Sequence, residues 1–203
     1  MTLPTPATAN APAPRRGRLG PFGPPLLLLS AMWLLELVDV VLRGRLDSAG
    51  IEPRDTDGLL GIILAPFLHV GFSHLLANTI PLLVLGTLVA TSGRAVFWKV
   101  TAAVAVLGGA ATWLIAPPDT VTVGASGLVF GYLGYLLVAG VRTRHWRDLA
   151  VGLLVLLVYG SLLLGALPWA VASDVSWQGH LTGAIAGGLA AWWWAPRRIA
   201  DRR

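Results

Sequence analysis

No cysteine occurs among the 203 residues, which excludes a disulfide framework, a thiolate metal site and a cysteine nucleophile together. Charge is nearly as scarce: Asp, Glu, Lys and Arg make up 12% of the chain, against 55% hydrophobic residues and a mean hydropathy of +0.71. That is more apolar side chain than one soluble core can bury, so the natural solvent is a lipid bilayer. Alternation of apolar and polar residues is missing as well. Continuous apolar runs exclude barrel strands of about ten residues with dyad alternation, and leave an all-α fold. Lysine is almost absent, one residue against fourteen arginines, a bias that hints at a GC-rich bacterial genome. The net charge of +5 would suggest nucleic acid in a soluble chain; here the basic residues sort by membrane side, and no nucleic-acid partner is expected.

What is present is a series of apolar runs near the length of roughly 20 residues needed to span a bilayer. Residues 1–24, rich in Pro, Ala and Thr with Arg15, Arg16 and Arg18, read as a disordered tail. A six-helix membrane domain over 25–196 follows, with spans at about 25–42, 69–90, 95–116, 124–141, 149–166 and 178–195, and then a basic tail over 197–203. The first run has no Ala-x-Ala cleavage pattern behind it, so it is read as a span and not a signal peptide. Twelve of the fifteen basic residues fall on one side, in the two tails and in the loops holding Arg94, Lys99, Arg142, Arg144 and Arg147. The positive-inside rule then makes both termini cytoplasmic in a multi-pass cell-membrane protein. Trp192, Trp193 and Trp194 before the tail, and Trp169 and Trp177 around the last outer loop, fit interfacial anchors. The apolar stretch 58–68 is too short to cross and is expected to lie in the interface.

A polar side chain inside a span is costly and marks a functional site. The second span opens with His69 and carries His74 and Asn78, one helical turn apart; the fourth opens with Gly124-Ala125-Ser126-Gly127; the sixth opens with Gly179-His180. Counting to the first basic residue at the cytoplasmic end gives 16 residues from Asn78, 16 from Ser126 and 17 from His180. At the helical rise all three lie about 24 Å above that boundary, at one level in the outer half of the membrane. Gly127, Gly131 and Gly134 in one helix, and Gly179, Gly183 and Gly187 in the other, form small-residue faces that let the two backbones approach. Ser126 and His180 thereby come within reach as nucleophile and base, a dyad with no carboxylate available as third member. The attacked carbonyl would become an oxyanion, and Asn78, His74 and the Ser126 backbone N–H are the available donors. Neither a metal nor a cofactor is called for.

Taken together, His74-x-x-x-Asn78, Gly124-x-Ser126-Gly127 and His180-x-x-Gly183 resemble the rhomboid proteases of the six-helix bacterial type, in the family's order and over roughly 25–196. The resemblance implies an intramembrane serine protease with Ser126 as nucleophile, His180 as general base, and His74 and Asn78 completing the oxyanion hole. It implies transmembrane protein substrates, cut near the outer face. Two positions depart from the family's usual residues: Phe130 stands where tyrosine is common, and Gly179 where alanine is common. The Trp-Arg signature often found in the first outer loop is not evident. Phe130, four residues after Ser126, projects from the same face and is expected to lie against the imidazole of His180 and orient it.

Other readings fare less well. Zinc proteolysis would need His-Glu-x-x-His, which is absent. Aspartyl proteolysis would need two intramembrane aspartates, and Asp39 stands alone. A transporter would show matched half-repeats, which are not found. The remaining alternative, a catalytically inactive rhomboid-like binding protein, is opposed by the intact Ser126 and His180. His69 is expected to stabilise a loop above the level of the dyad, and His145 to be solvated. Gly160 and Gly165 make the fifth span a plausible mobile wall. Glu36 and Asp39, near the outer end of the first span, are expected to snorkel outward or to hydrogen-bond the first loop, and not to take part in catalysis.

Overall fold

Backbone groups in hydrocarbon must satisfy one another within the segment, so apolar runs of this length fold as helices. The computed structural model describes residues 19–143 and 175–195, together with 150, 153, 154, 157, 167 and 169. The described chain is all-helical, with one isolated antiparallel bridge between Ile51 and Thr122. The elements are α1 (Gly23–Leu42), α2 (Gly61–Leu64, within the helical stretch Asp57–Phe67), α3 (Gly71–Thr91), α4 (Arg94–Ile115), α5 (Ser126–Thr143) and α6 (Trp177–Trp194). Four of these, α1, α3, α4 and α5, are long and apolar enough to cross a bilayer. Their ends fall within about two residues of the expected spans. The expected fifth span, 149–166 with Gly160 and Gly165, lies almost wholly outside the described residues, as do Arg144, His145, Arg147, Asp174 and the tails over 1–18 and 196–203.

The expected tail boundary at 24 needs correcting. A 3₁₀ turn covers Gly20–Phe22 and α1 begins at Gly23, with Pro24 and Pro25 in its first turn. Proline there removes only N–H groups that have no helical acceptor and presets the helical φ, so a Pro pair that reads as a breaker is a starter.

α1 packs on α3 through Met32, Leu75, Leu82 and their neighbours, with the Trp33 indole N–H donating to Thr79 Oγ1 at 3.2 Å. α5 and α6 meet along the glycine faces. A Cβ on Gly183 would strike the Gly127 carbonyl oxygen, one on Gly187 the Gly131 carbonyl oxygen, and one on Gly134 the Ala184 carbonyl oxygen. Dispersion between backbones this close drives association where lipid supplies no hydrophobic term. α4 crosses the same pair through a π-helical turn at Val104–Gly108, where Gly108 faces Gly183 and Val104 covers Gly131. Thr101 and Tyr132 share a buried hydrogen bond of 2.8 Å between α4 and α5. Much of α6 is enclosed by its neighbours: Gln178, His180, Thr182, Gly183, Ala186, Gly187, Ala190 and Ala191 are all buried.

The loop between α1 and α2 is tied down. Ile51 and Thr122 exchange backbone hydrogen bonds of 2.9 and 3.0 Å, and the Arg54 guanidinium donates to the carbonyls of Leu114 and Ala116 at 3.0 and 2.8 Å. The stretch Asp57–Phe67 buries Gly58, Gly61 and Ala65 and leaves Leu59, Leu60, Ile63 and Leu64 exposed. This one-sided apolar face suits the interfacial position expected for 58–68.

Candidate active site

The turn before α5 is held at each residue. Gly124 adopts φ +117°, and its N–H donates to the Ala65 carbonyl at 2.8 Å. No other residue fits, since a Cβ there would sit 2.7 Å from Cε1 of His74. The Ala125 N–H donates to Nε2 of His69 at 3.2 Å. Its carbonyl accepts the first helical hydrogen bond, from the Val129 N–H at 3.0 Å. The N–H groups of Ser126, Gly127 and Leu128 therefore occupy the first turn, where the helix offers no acceptor and the dipole favours negative charge.

His69 is only 1% exposed, and burial, followed by the proximity of His74, pulls its pKa down to about 4. A neutral ring with Nε2 accepting carries its proton on Nδ1. The expected separation of His69 from the level of the dyad is thereby corrected: it is a hydrogen bond away from the residue preceding Ser126. Counting by helical rise misplaced it because residue 69 precedes α3, in a loop that folds back toward α5. Its expected part in stabilising a loop fits this contact.

His74 stands edge-on to His69, with ring centroids 5.1 Å apart. One hydrogen of the Asn78 amide goes to the His74 carbonyl at 3.0 Å; the amide has a second. His180 lies in the first turn of α6, whose N-cap Ser176 accepts the Gly179 N–H through Oγ at 3.2 Å. Its ring stacks on Phe130 with centroids 4.1 Å apart and planes 7° from parallel, the contact that the one-turn spacing from Ser126 leads one to expect. Both rings are buried. Two residues beyond His180, Thr182 Oγ1 and Thr112 Oγ1 share a hydrogen bond of 2.7 Å, tying α6 to α4. A cavity of about 280 Å³ opens among Ser126, His180, His74, Asn78 and Phe130, with Ile51 and Thr122 among its walls. All five candidate residues thus share one chamber. The Thr112–Thr182 tie and the loop wall were not legible beforehand, since threonines in apolar helices usually bond their own backbone and carry no distinguishing pattern.

The Rhomboid domain matches residues 56–197, which include every residue of this chamber except Ile51. The chain belongs to the rhomboid family. An uncharacterized protein of Mycobacterium tuberculosis is 47% identical over 203 residues, covering 95% of this chain and 84% of its own. The rhomboid protease GluP of Bacillus subtilis is 33% identical over 135 residues, 64% of this chain and 25% of that protein. The putative rhomboid protease YdcA of the same species is 30% identical over 130 residues, 63% of each chain.

Proposed function

We propose that this rhomboid is an intramembrane serine endopeptidase that cleaves transmembrane segments of membrane-protein substrates with a Ser126–His180 dyad. The observation that carries the reading is the His180 ring, stacked on Phe130 one turn below Ser126 across a glycine seam, in a cavity shared with His74 and Asn78. Ser126 Oγ attacks the scissile carbonyl carbon while His180 takes its proton. The resulting oxyanion is received by the Ser126 N–H, the second amide hydrogen of Asn78 and His74. Collapse breaks the C–N bond as His180 returns the proton to the leaving amine. Water then enters, again through His180 as base, and releases the acyl group as a carboxylic acid. Phe130 fixes the plane of the imidazole where other serine hydrolases use a carboxylate. Both termini are assigned to the cytoplasm of a bacterial cell and the chamber to the outer half of the membrane.

The test is labelling of the purified protein by a fluorophosphonate together with cleavage of a model transmembrane substrate. Ser126→Ala and His180→Ala should each reduce cleavage to below about 10⁻³ of wild type while leaving the protein folded. Cleavage by Ser126→Ala at a few per cent of wild type, with contaminants excluded, would remove the dyad.

A further inference from the structure

Three carboxylates gather where α1 meets the following loop, and the chemistry at Ser126 uses none of them. Glu36 and Asp39 share one face of α1 and are only 4% and 6% exposed. Asp47 opens the 3₁₀ turn Asp47–Ala49 of the loop and is half-buried. Asp39 is satisfied: its Oδ1 accepts the Leu46 N–H at 2.7 Å, which draws the residue beside Asp47 onto α1. The other two are not. Glu36 Oε2 and Asp47 Oδ1 are both shut off from solvent without any hydrogen-bond donor. Among the described residues no lysine or arginine pairs with the three, and Arg43 and Arg45 on the same loop are exposed. The charges nearest Glu36 are those of Asp47 and Asp39, and the Gly71 N–H at the start of α3 donates to the His69 carbonyl at 3.0 Å. The titratable groups nearest that end of α3 in the chain are His69, already committed to Ala125, and His74.

Two buried carboxylate oxygens without donors, in like-charged company, are not tenable as two anions. One proton resolves both, because a protonated carboxyl becomes an O–H donor and the ionised partner accepts it. We infer that Glu36 and Asp47 share one proton in a carboxyl–carboxylate hydrogen bond that latches the first loop to α1. Burial, and then the negative charge of Asp39, raise the pKa of Asp47 and so favour retention of that proton. The latch reaches the chamber through the chain itself: four residues beyond Asp47, Ile51 pairs with Thr122, and both line the cavity. Loss of the proton leaves Asp47 repelled by Glu36 and Asp39 and frees the segment that leads into the cavity wall. The device answers to pH on the loop side of the bundle and does not depend on the chemistry assigned to Ser126.

Because the chain has no cysteine, a nitroxide at Ala49→Cys, exposed beside Asp47, reports loop mobility in the full-length protein by electron paramagnetic resonance. The mobile fraction should grow as pH rises from about 5 to 9, the mobile-to-immobile ratio changing by up to about tenfold per pH unit, as one proton requires. Glu36→Gln replaces the shared proton by an amide N–H and should stay immobile throughout; Glu36→Ala should be mobile throughout. Infrared spectroscopy, which needs no label, should show a protonated carboxyl band in wild type that Glu36→Gln loses. A wild-type spectrum that does not respond to pH, an unchanged titration in Glu36→Gln, or absence of the carboxyl band would each overturn the latch.

Discussion

Phe130 meets the candidate dyad through its stack on His180, and His69 holds the residue before Ser126 through the Ala125 N–H; each contact separates orienting from filling. If Phe130 orients His180 by its flat face, the hydroxyl of a tyrosine is dispensable and the plane is not. Phe130→Tyr should keep substantial activity, Phe130→Leu should lower kcat at equal folded fraction, and Phe130→Ala should also lose about 3–5 kcal/mol, as large buried rings do in soluble cores. Equal kcat in Phe130→Leu would reduce the ring to packing. His69→Ala leaves the Ala125 N–H buried without an acceptor, a loss of about 1–3 kcal/mol. The pKa of His69 lies near 4 in the folded protein, below its ordinary 6.5, so between these values the unfolded chain binds more protons. Its contribution is therefore complete above pH 6.5 and is lost as pH falls toward 4. Tm should drop across that window in wild type and drop less in His69→Gln, whose amide oxygen accepts the same N–H without titrating. The carboxylate latch has the opposite sign, gaining as pH falls, so the comparison is cleanest in a Glu36→Gln background.

Between helices, the α5–α6 seam tolerates a methyl group at some glycines and not at others. A Cβ at Gly179 would rest 3.4 Å from Ser176 Oγ, an ordinary contact, whereas one at Gly187 would fall on the Gly131 carbonyl oxygen. Gly179→Ala should keep Tm within about a degree or two and retain activity. Gly187→Ala should cost about 1–3 kcal/mol by forcing the helices apart, and thermal unfolding in detergent measures both. This seam was legible because glycine spacing states directly which faces can close. Four of the expected spans, α1, α3, α4 and α5, were legible for a similar reason: bilayer thickness fixes their length. The α1–α2 loop was not, since what holds it is tertiary. Arg54 reaches carbonyls some 60 residues away, and no local pattern announces that reach. Nor does any periodicity mark the π turn at Val104–Gly108, from which Gly108 meets Gly183 and Val104 meets Gly131.

Taken whole, the described bundle has two chemically different ends. At one, the N-termini of α5 and α6 carry Ser126 and His180, and the α1–α2 loop joins the same end through the pairing of Ile51 with Thr122. At the other, Lys99 lies 6.0 Å from the Trp194 ring and the Arg142 guanidinium 4.4 Å from the Trp192 ring, so the start of α4 and the ends of α5 and α6 meet in a basic aromatic cluster. Cations seated on tryptophan suit the headgroup layer, where the aromatic ring lies in the interface. Basic loops are as a rule retained in the cytoplasm, and the proposed orientation accordingly has the Arg142 end inward and the Ser126 end outward. A cysteine placed at residue 10 or appended after Arg203 should then resist a membrane-impermeant maleimide in intact cells and react after lysis. One at Asp55, exposed in the α1–α2 loop, should react before lysis. Reaction of the C-terminal cysteine in intact cells would invert the bundle or change the number of crossings, and would move the proposed cleavage to the opposite face of the membrane.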